Sequence, residues 1–250
     1  MLRRIFLILP VLALIADLTP AAADGHAPAK ADGHEGGVIV FGGNGRTGAM
    51  IVERLLAKGE TVTVFVRPTS DRSRLDGMDV RYAVGDAMVA EHVDAAIAAA
   101  KPRVVINAIG GRGTTAGFWD TTQMNMTAAA KKYGAKEIIF LSSVGVGDSE
   151  AAYNEEQLAR TKDSRDERLR AEEDMKASGL DYVILRTGII APEGTAETGQ
   201  GALTKDPTVL APIARADLAT ITVNCIGNPD CLNQTFSTYD PSIDYRGRME

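Results

Sequence analysis

Residues 38–68 read VIVFGGNGRTGAMIVERLLAKGETVTVFVRP. Val38 to Phe41 form a short apolar run that stops on glycines, as a strand buried on both faces does. Between residues 45 and 58 the period changes, and Ile51, Val52, Leu55 and Leu56 fall on one helical face. TVTVFV at 61–66 is β-branched and reads as the next strand. A strand, a glycine turn, a helix and a second strand are the start of a parallel sheet.

The rest of the chain continues the alternation. VRYAV (80–84), RVVINAI (103–109), EIIFLSS (137–143) and DYVILR (181–186) are predicted strands. Helical patterns over 88–100, 120–133 and 165–178 separate most of them. A last helix near 214–227 would bury Leu218, Ile221, Thr222, Cys225 and Ile226, and QTFST (234–238) adds a late strand. The expected class is α/β: a Rossmann-type doubly wound parallel sheet in a single domain over 37–250, with helices on both faces and no internal repeat. Within the charge-dense interval 148–174, the second half is expected to be an exposed helix and the first half a mobile loop over a cleft.

The glycine turn carries the chemistry. Gly42, Gly45 and Gly48 stand in the order G-x-x-G-x-x-G, after a strand and opening a helix. Gly42 permits the tight turn, Gly45 leaves room for a pyrophosphate, and Gly48 lets helix and strand approach. The free N–H groups of the helix start then face the phosphates, with Gly43, Asn44, Arg46 and Thr47 completing the cradle. The second strand ends in Arg67, where binders of NAD usually place a carboxylate for the ribose 2′-hydroxyl. A guanidinium suits a 2′-phosphate, and Arg72 and Arg74 follow closely, so the expected cofactor is NADP(H). Asp86, after the third strand, is placed to meet the adenine amino group. Asn107 and Ala108 end the fourth strand near the expected nicotinamide ribose.

VIVFGGNGRTG, VFVRP, VGD, FLSSVG and AEEDMKASGLDYVILRTG together resemble the atypical short-chain dehydrogenase/reductase family. The similarity is to its NAD(P)-binding, NmrA-like branch, which includes flavin reductase/biliverdin-IXβ reductase, and it runs from about Val38 to Phe236. The resemblance implies a Rossmann fold and NADP(H). Catalytic members use a Tyr-x-x-x-Lys pair, in which Tyr donates a proton and Lys lowers its pKa. Here Ser164 and Arg168 stand at those positions: Arg168 could still supply the positive charge, a Ser hydroxyl is a poor acid, and Tyr153 has Gln157 four residues on, which does not restore the pair. Ser143 matches the family serine that would bond a substrate carbonyl; the other reading is a strand-end Ser bonding its own backbone. The usual RPG is RTG at 186–188. Two functions follow. One is an NADPH-dependent reductase of a small flavin, quinone or carbonyl acceptor, taking its proton from solvent or substrate as the flavin-reductase relatives do. The other is a non-catalytic NADP(H)-binding sensor or interaction protein.

The remaining features concern location and partners. Residues 1–23 have the anatomy of a signal peptide: Arg3 and Arg4, an apolar run from Ile5 to Ala16, and Ala21 to Ala23 as a cleavage site. The run is short for a membrane span, so no stable span is expected after cleavage, and the mature protein would be periplasmic or secreted. RRIFLIL partly matches the twin-arginine signal of folded, cofactor-loaded export, with Leu2 and Ile8 in place of the usual Ser and Lys; the alternative is ordinary export of the unfolded chain, which carries no cofactor. Residues 24–36 read as a flexible linker, in which His26 and His34 imply no metal site. With a net charge of −6 and no Lys/Arg cluster, nucleic acid is not an expected partner. Cys225 and Cys231 could pair in an oxidising compartment or stand apart; their spacing leaves both open.

Overall fold

A computed structural model describes residues 36–111 and 115–244. The expected signal peptide, and the linker up to Glu35, lie outside the described residues. In chain order the elements are β1 (Val38–Phe41), α1 (Arg46–Ala57), β2 (Val62–Val66), β3 (Arg81–Val84), α2 (Ala90–Ala100), β4 (Val104–Asn107) and α3 (Phe118–Lys132). β5 (Glu137–Ser143), α4 (Glu155–Ala177), β6 (Asp181–Thr187), β7 (Ile189–Ile190), β8 (Ala202–Thr204), β9 (Pro212–Ile213), α5 (Arg215–Asn224) and β10 (Gln234–Tyr239) follow.

Eight strands form one sheet in the order β3-β2-β1-β4-β5-β6-β10-β8; all pairs are parallel except β10 with β8. The chain winds outward from β1 to β3, then returns to place β4 on the other side of β1. This reversal opens a crevice at the carboxyl ends of β1 and β4, where open α/β sheets bind their ligands.

The two faces of β1 explain the layers. Val38 and Val40 pack with α1 and α5 residues such as Ile51, Leu55, Ala219 and Val223. Ile39 and Phe41 point the other way, into a core with Val93, Ile97, Met126, Ala171 and Met175 of α2, α3 and α4. Successive strand residues point to opposite faces, so both sides of every central strand must be apolar. Burying each large aliphatic side chain contributes about 1.5–3 kcal/mol.

The structure differs from the sequence reading in two places. The expected loop before residue 165 is largely helical, because α4 begins ten residues earlier, at Glu155. Asn154 accepts from the Gln157 N–H (2.8 Å), and the Gln157 side chain accepts from the Asn154 N–H (2.9 Å). That reciprocal capping box starts a helix whose first half has no apolar face. Ahead of it, Gly147–Ala152 forms a 3₁₀ turn. Second, the segment after β6 contributes β7, β8 and β9, which no run of residues announced. Of the two arrangements that the spacing of Cys225 and Cys231 leaves open, the structure has the disulfide. No helix among the described residues is long and apolar enough to cross a membrane.

Candidate functional site

The cradle begins where β1 ends. Gly42 has φ +77°, a left-handed conformation, and a Cβ there would lie 2.7 Å from the Ala108 carbonyl oxygen. The ends of β1 and β4 thus meet with no room for a side chain. The Gly45 N–H donates to the Gly42 carbonyl (2.9 Å) and closes the turn. At Gly43 a Cβ would press on Val64 of β2 (2.7 Å), and at Gly48 it would overlap the Gly42 carbonyl oxygen. Gly45 is different: a Cβ there meets only the Gly42 oxygen, at 3.1 Å, and otherwise open space. No side chain caps α1, and no acid occupies its first turn. Its N–H groups and positive dipole end are therefore left for an anion. A dinucleotide pyrophosphate fits this opening: Gly42 and Gly48 draw the backbone together, and Gly45 leaves the passage.

The loop is braced on both sides. The Asn44 amide donates to the Asp71 carbonyl (2.9 Å), tying the cradle to the segment after β2. Arg46 is exposed and pairs with Glu193 of the segment after β7 (3.2 Å), while Thr47 sits in the first turn of α1. Arg67 follows β2 in a turn around Pro68: its N–H donates to Ser70 Oγ, and Ser70 N–H donates to its carbonyl. Its side chain is exposed and has no ion pair among the described residues. Arg72 lies 4.7 Å from the Tyr82 ring centroid, and Arg74 is near enough to Asp71 to lower that carboxyl's pKa, after the larger effect of its Ser73 hydrogen bonds.

The other anticipated residues are less free. Asp86 Oδ1 accepts from the Met88 N–H (2.9 Å), an Asx turn that leads into α2. Asn107 is buried, with its amide NH₂ on Gln123 (2.8 Å) and its oxygen on the Ile109 N–H (3.0 Å), so both functions of the side chain are engaged. The Ala108 N–H donates to the Phe41 carbonyl (2.9 Å), holding β4 against β1. Ser143 Oγ donates to the Val144 carbonyl (3.0 Å), the backbone-bonding arrangement. Ser164 donates to Thr161 C=O (3.0 Å), a bond internal to α4.

A second polar group stands beside the ends of β5 and β6. Glu172 of α4 is fully buried and accepts from Ser142 Oγ (2.6 Å) and from Arg186 Nη2 (2.7 Å), and Arg186 also pairs with Asp148. One helical turn nearer the strand ends, Arg168 lies 3.5 Å from the centroid of the Trp119 ring. Burial pulls its pKa down to about 10, so it stays charged at neutral pH. Glu167 accepts from the N–H groups of Gly117 (2.6 Å) and Trp119 (3.1 Å), capping the start of α3. The Trp119 and Glu167 contacts were not anticipated. Their one sequence trace is the single tryptophan of the chain, placed just ahead of a predicted helix. Among the described residues no cluster of His, Cys, Asp or Glu could hold a metal ion.

A family model described as NAD(P)H-binding matches residues 42–229. Among solved structures, ChuY, an anaerobillin reductase from Escherichia coli O157:H7, is 27% identical with a TM-score of 0.73. The likeness covers 83% of this chain and 98% of that one. A short-chain dehydrogenase/reductase from Veillonella parvula, solved in complex with NADP, shares the fold at 14% identity, with a TM-score of 0.65 and coverage of 83% and 96%. Sterol demethylase protein B of Methylococcus capsulatus is 48% identical over 48 residues, which are 19% of this chain and only 15% of that protein. A glycine cradle at the switch point of a parallel sheet and a family match over most of the chain lead to one conclusion: the chain belongs to the NAD(P)H-binding, NmrA-like branch of the atypical short-chain dehydrogenases/reductases.

Proposed function

We propose that this protein is an NADPH-dependent reductase of a small conjugated or carbonyl acceptor. The observation that carries the reading is the Gly42–Gly48 cradle, crowded at Gly42, Gly43 and Gly48 and open at Gly45. A cradle shaped this way suits the pyrophosphate of a dinucleotide. The bound cofactor would supply hydride; the chain's residues bind and orient. Gly45 and the first N–H groups of α1 hold the pyrophosphate, and Arg67, aided by Arg74, selects the 2′-phosphate. Ala108 and the Ile109 backbone border the nicotinamide half. Ser143 rotates from the Val144 carbonyl to donate to the acceptor oxygen. With Ser164 where a Tyr would stand, the proton comes from solvent or from the acceptor itself. The likeness to ChuY, a reductase by its name, supports this class of chemistry.

The test mixes purified protein with NADPH and a panel of flavins, quinones and aldehydes. Loss of reduced-nicotinamide absorbance with any of them is expected. Tight NADP(H) binding without turnover by any acceptor would overturn the reading in favour of a sensor. The internal bonds of Ser143 and Ser164 are what favour that second reading.

Export is part of the same proposal. The leader and the Cys225–Cys231 bond both suit an oxidising compartment. Export in the folded state, through the twin-arginine-like RRIFLIL, carries the cofactor along. Mass spectrometry of the protein purified from its own compartment checks this: cleavage after residue 23, the disulfide and a retained nucleotide should appear together.

A further inference from the structure

We propose that Arg168 is an anion-binding residue of the acceptor site, taking a carboxylate of the acceptor on a guanidinium held against Trp119. The placement of the acceptor beside Arg168 rests on the reductase reading; the uncompensated charge does not.

The position comes from the register of α4 on the sheet. Glu172 meets Ser142, the penultimate residue of β5. Arg168 is one turn, about 5.4 Å, nearer the start of α4. The following turn, at Arg165, reaches the Gly145 carbonyl beyond the end of β5 (3.2 Å). Arg168 therefore lies between these levels, at the rim where Ser143 ends its strand.

The charge accounting singles it out. The two buried arginines on either side have carboxylates: Arg165 pairs with Glu150, and Arg186 with Glu172 and Asp148. Arg168 makes no ion pair among the described residues. Nη1 donates weakly to the Ser164 carbonyl (3.3 Å), and Nε is buried with no partner. The carboxylates within electrostatic reach are spent: Glu167 on two N–H groups of the α3 start, Glu172 on Ser142 and Arg186. A desolvated cation with no counter-ion is costly and is characteristic of sites that take an anion. The Trp119 face offsets part of that cost and fixes the guanidinium plane, leaving its edge for an in-plane partner.

The neighbours narrow the anion. Tyr153 lies within electrostatic reach of Arg168, and its hydroxyl has no hydrogen-bond partner among the described residues, so it is available as a second donor. Glu167 and Glu172 close by disfavour a dianion. A planar monoanionic carboxylate fits both the guanidinium fork and this balance better than a phosphate.

Trp119 is the only tryptophan, so its fluorescence reports on this stack. The full protein, without cofactor, is titrated with benzoate, benzamide and inorganic phosphate. Benzoate should give a saturable change, benzamide none, and phosphate should bind at least several-fold more weakly. Arg168→Gln should weaken benzoate at least tenfold, and Arg168→Lys should restore much of the loss. An equal response to benzamide, unaltered benzoate binding in Arg168→Gln, or tighter phosphate binding overturns the proposal. Should Arg168→Gln not fold, Tyr153→Phe decides: a several-fold loss of benzoate binding supports it, and no loss overturns it. A turnover arm uses anthraquinone-2-carboxylate and its methyl ester. The ratio of kcat/KM for acid over ester should fall at least tenfold in Arg168→Gln, and an unchanged ratio overturns the assignment to the acceptor. Absence of turnover altogether defeats the reductase reading and leaves the benzoate result to stand or fall alone.

Discussion

Two glycines of the cradle, three residues apart, separate folding from binding. A Cβ at Gly48 overlaps the Gly42 carbonyl oxygen, and neither backbone can retreat, because both lie between packed strands and α1. Gly48→Ala should therefore lower the melting temperature and abolish cofactor binding together, with a loss on the order of 1–3 kcal/mol. At Gly45 the only obstacle is the Gly42 oxygen at 3.1 Å. Gly45→Ala should keep stability within about 1 kcal/mol while weakening NADPH at least tenfold, because the methyl group fills the pyrophosphate passage. Thermal melts beside fluorescence titration of NADPH check the pair; parallel losses at both positions would refute the distinction. At Arg67 the expectation concerns selectivity. Arg67→Ala should reduce NADPH affinity at least tenfold and leave NADH within about threefold, since a charge-assisted bond to the 2′-phosphate is worth about 1.5–3 kcal/mol. Equal losses for the two cofactors would show that Arg67 is only a solvated turn residue. These glycines were legible from their spacing alone, because close backbone approach leaves a mark in the residue type. The engaged amide of Asn107 was not legible: its partner Gln123 belongs to a different element, and only the folded chain brings them together.

Among the elements, strands and helices differed in how well the sequence announced them. β1, β2, β4 and the centre of β5 are covered on both faces, so these stretches are almost wholly apolar and can be read directly. The first half of α4 has no such stripe, so its residues resemble a loop. Its helix is held by polar devices instead: the Asn154–Gln157 box, and Arg165 reaching Gly145, Leu158 and Glu150. β7 and β9 are two residues each, and their pairing joins segments more than twenty residues apart, too short and too distant for any local pattern. The capping box gives a measurable consequence. Asn154→Ala removes the acceptor of the Gln157 N–H and should cost about 1 kcal/mol. Fraying should be confined to the first turns of α4, with faster amide hydrogen exchange from Glu155 to Arg160 than at the buried Ala171 and Met175. Protection unchanged in the first turn would mean that the Arg165 contacts alone define the helix start.

For the whole molecule, the most informative group lies at the end of the sheet opposite the cradle. Glu137, the first residue of β5, is 4% exposed, and burial raises its pKa from 4.5 to about 7. The Gly227 N–H donates to its Oε2 (2.8 Å) and the Arg103 charge also lowers the value, while Asp181 raises it further; burial outweighs these bonds. Gly227 lies inside the loop closed by Cys225 and Cys231, so the carboxyl joins the centre of the sheet to the disulfide loop. In the unfolded chain Glu137 releases its proton near 4.5, and in the folded protein near 7. The folded state thus binds more protons between those limits, so stability falls as pH rises through the window and levels off above it. The full effect is on the order of 3 kcal/mol. Carboxylates with lowered pKa, such as Asp148, whose main cause is its Arg186 bond, act in the opposite sense and at lower pH. Asp174, raised by its own burial, acts in the same sense as Glu137 but is common to wild type and variant, so the difference between the two proteins isolates Glu137. Glu137→Gln keeps an acceptor for the Gly227 N–H and removes the titration. Denaturant melts from pH 4.5 to 8 should show the variant gaining on the wild type by about 2–3 kcal/mol up to pH 7 and holding that gain beyond. A difference between the two proteins that stays constant across the range would mean that Glu137 ionises in the folded state as it does in the unfolded chain.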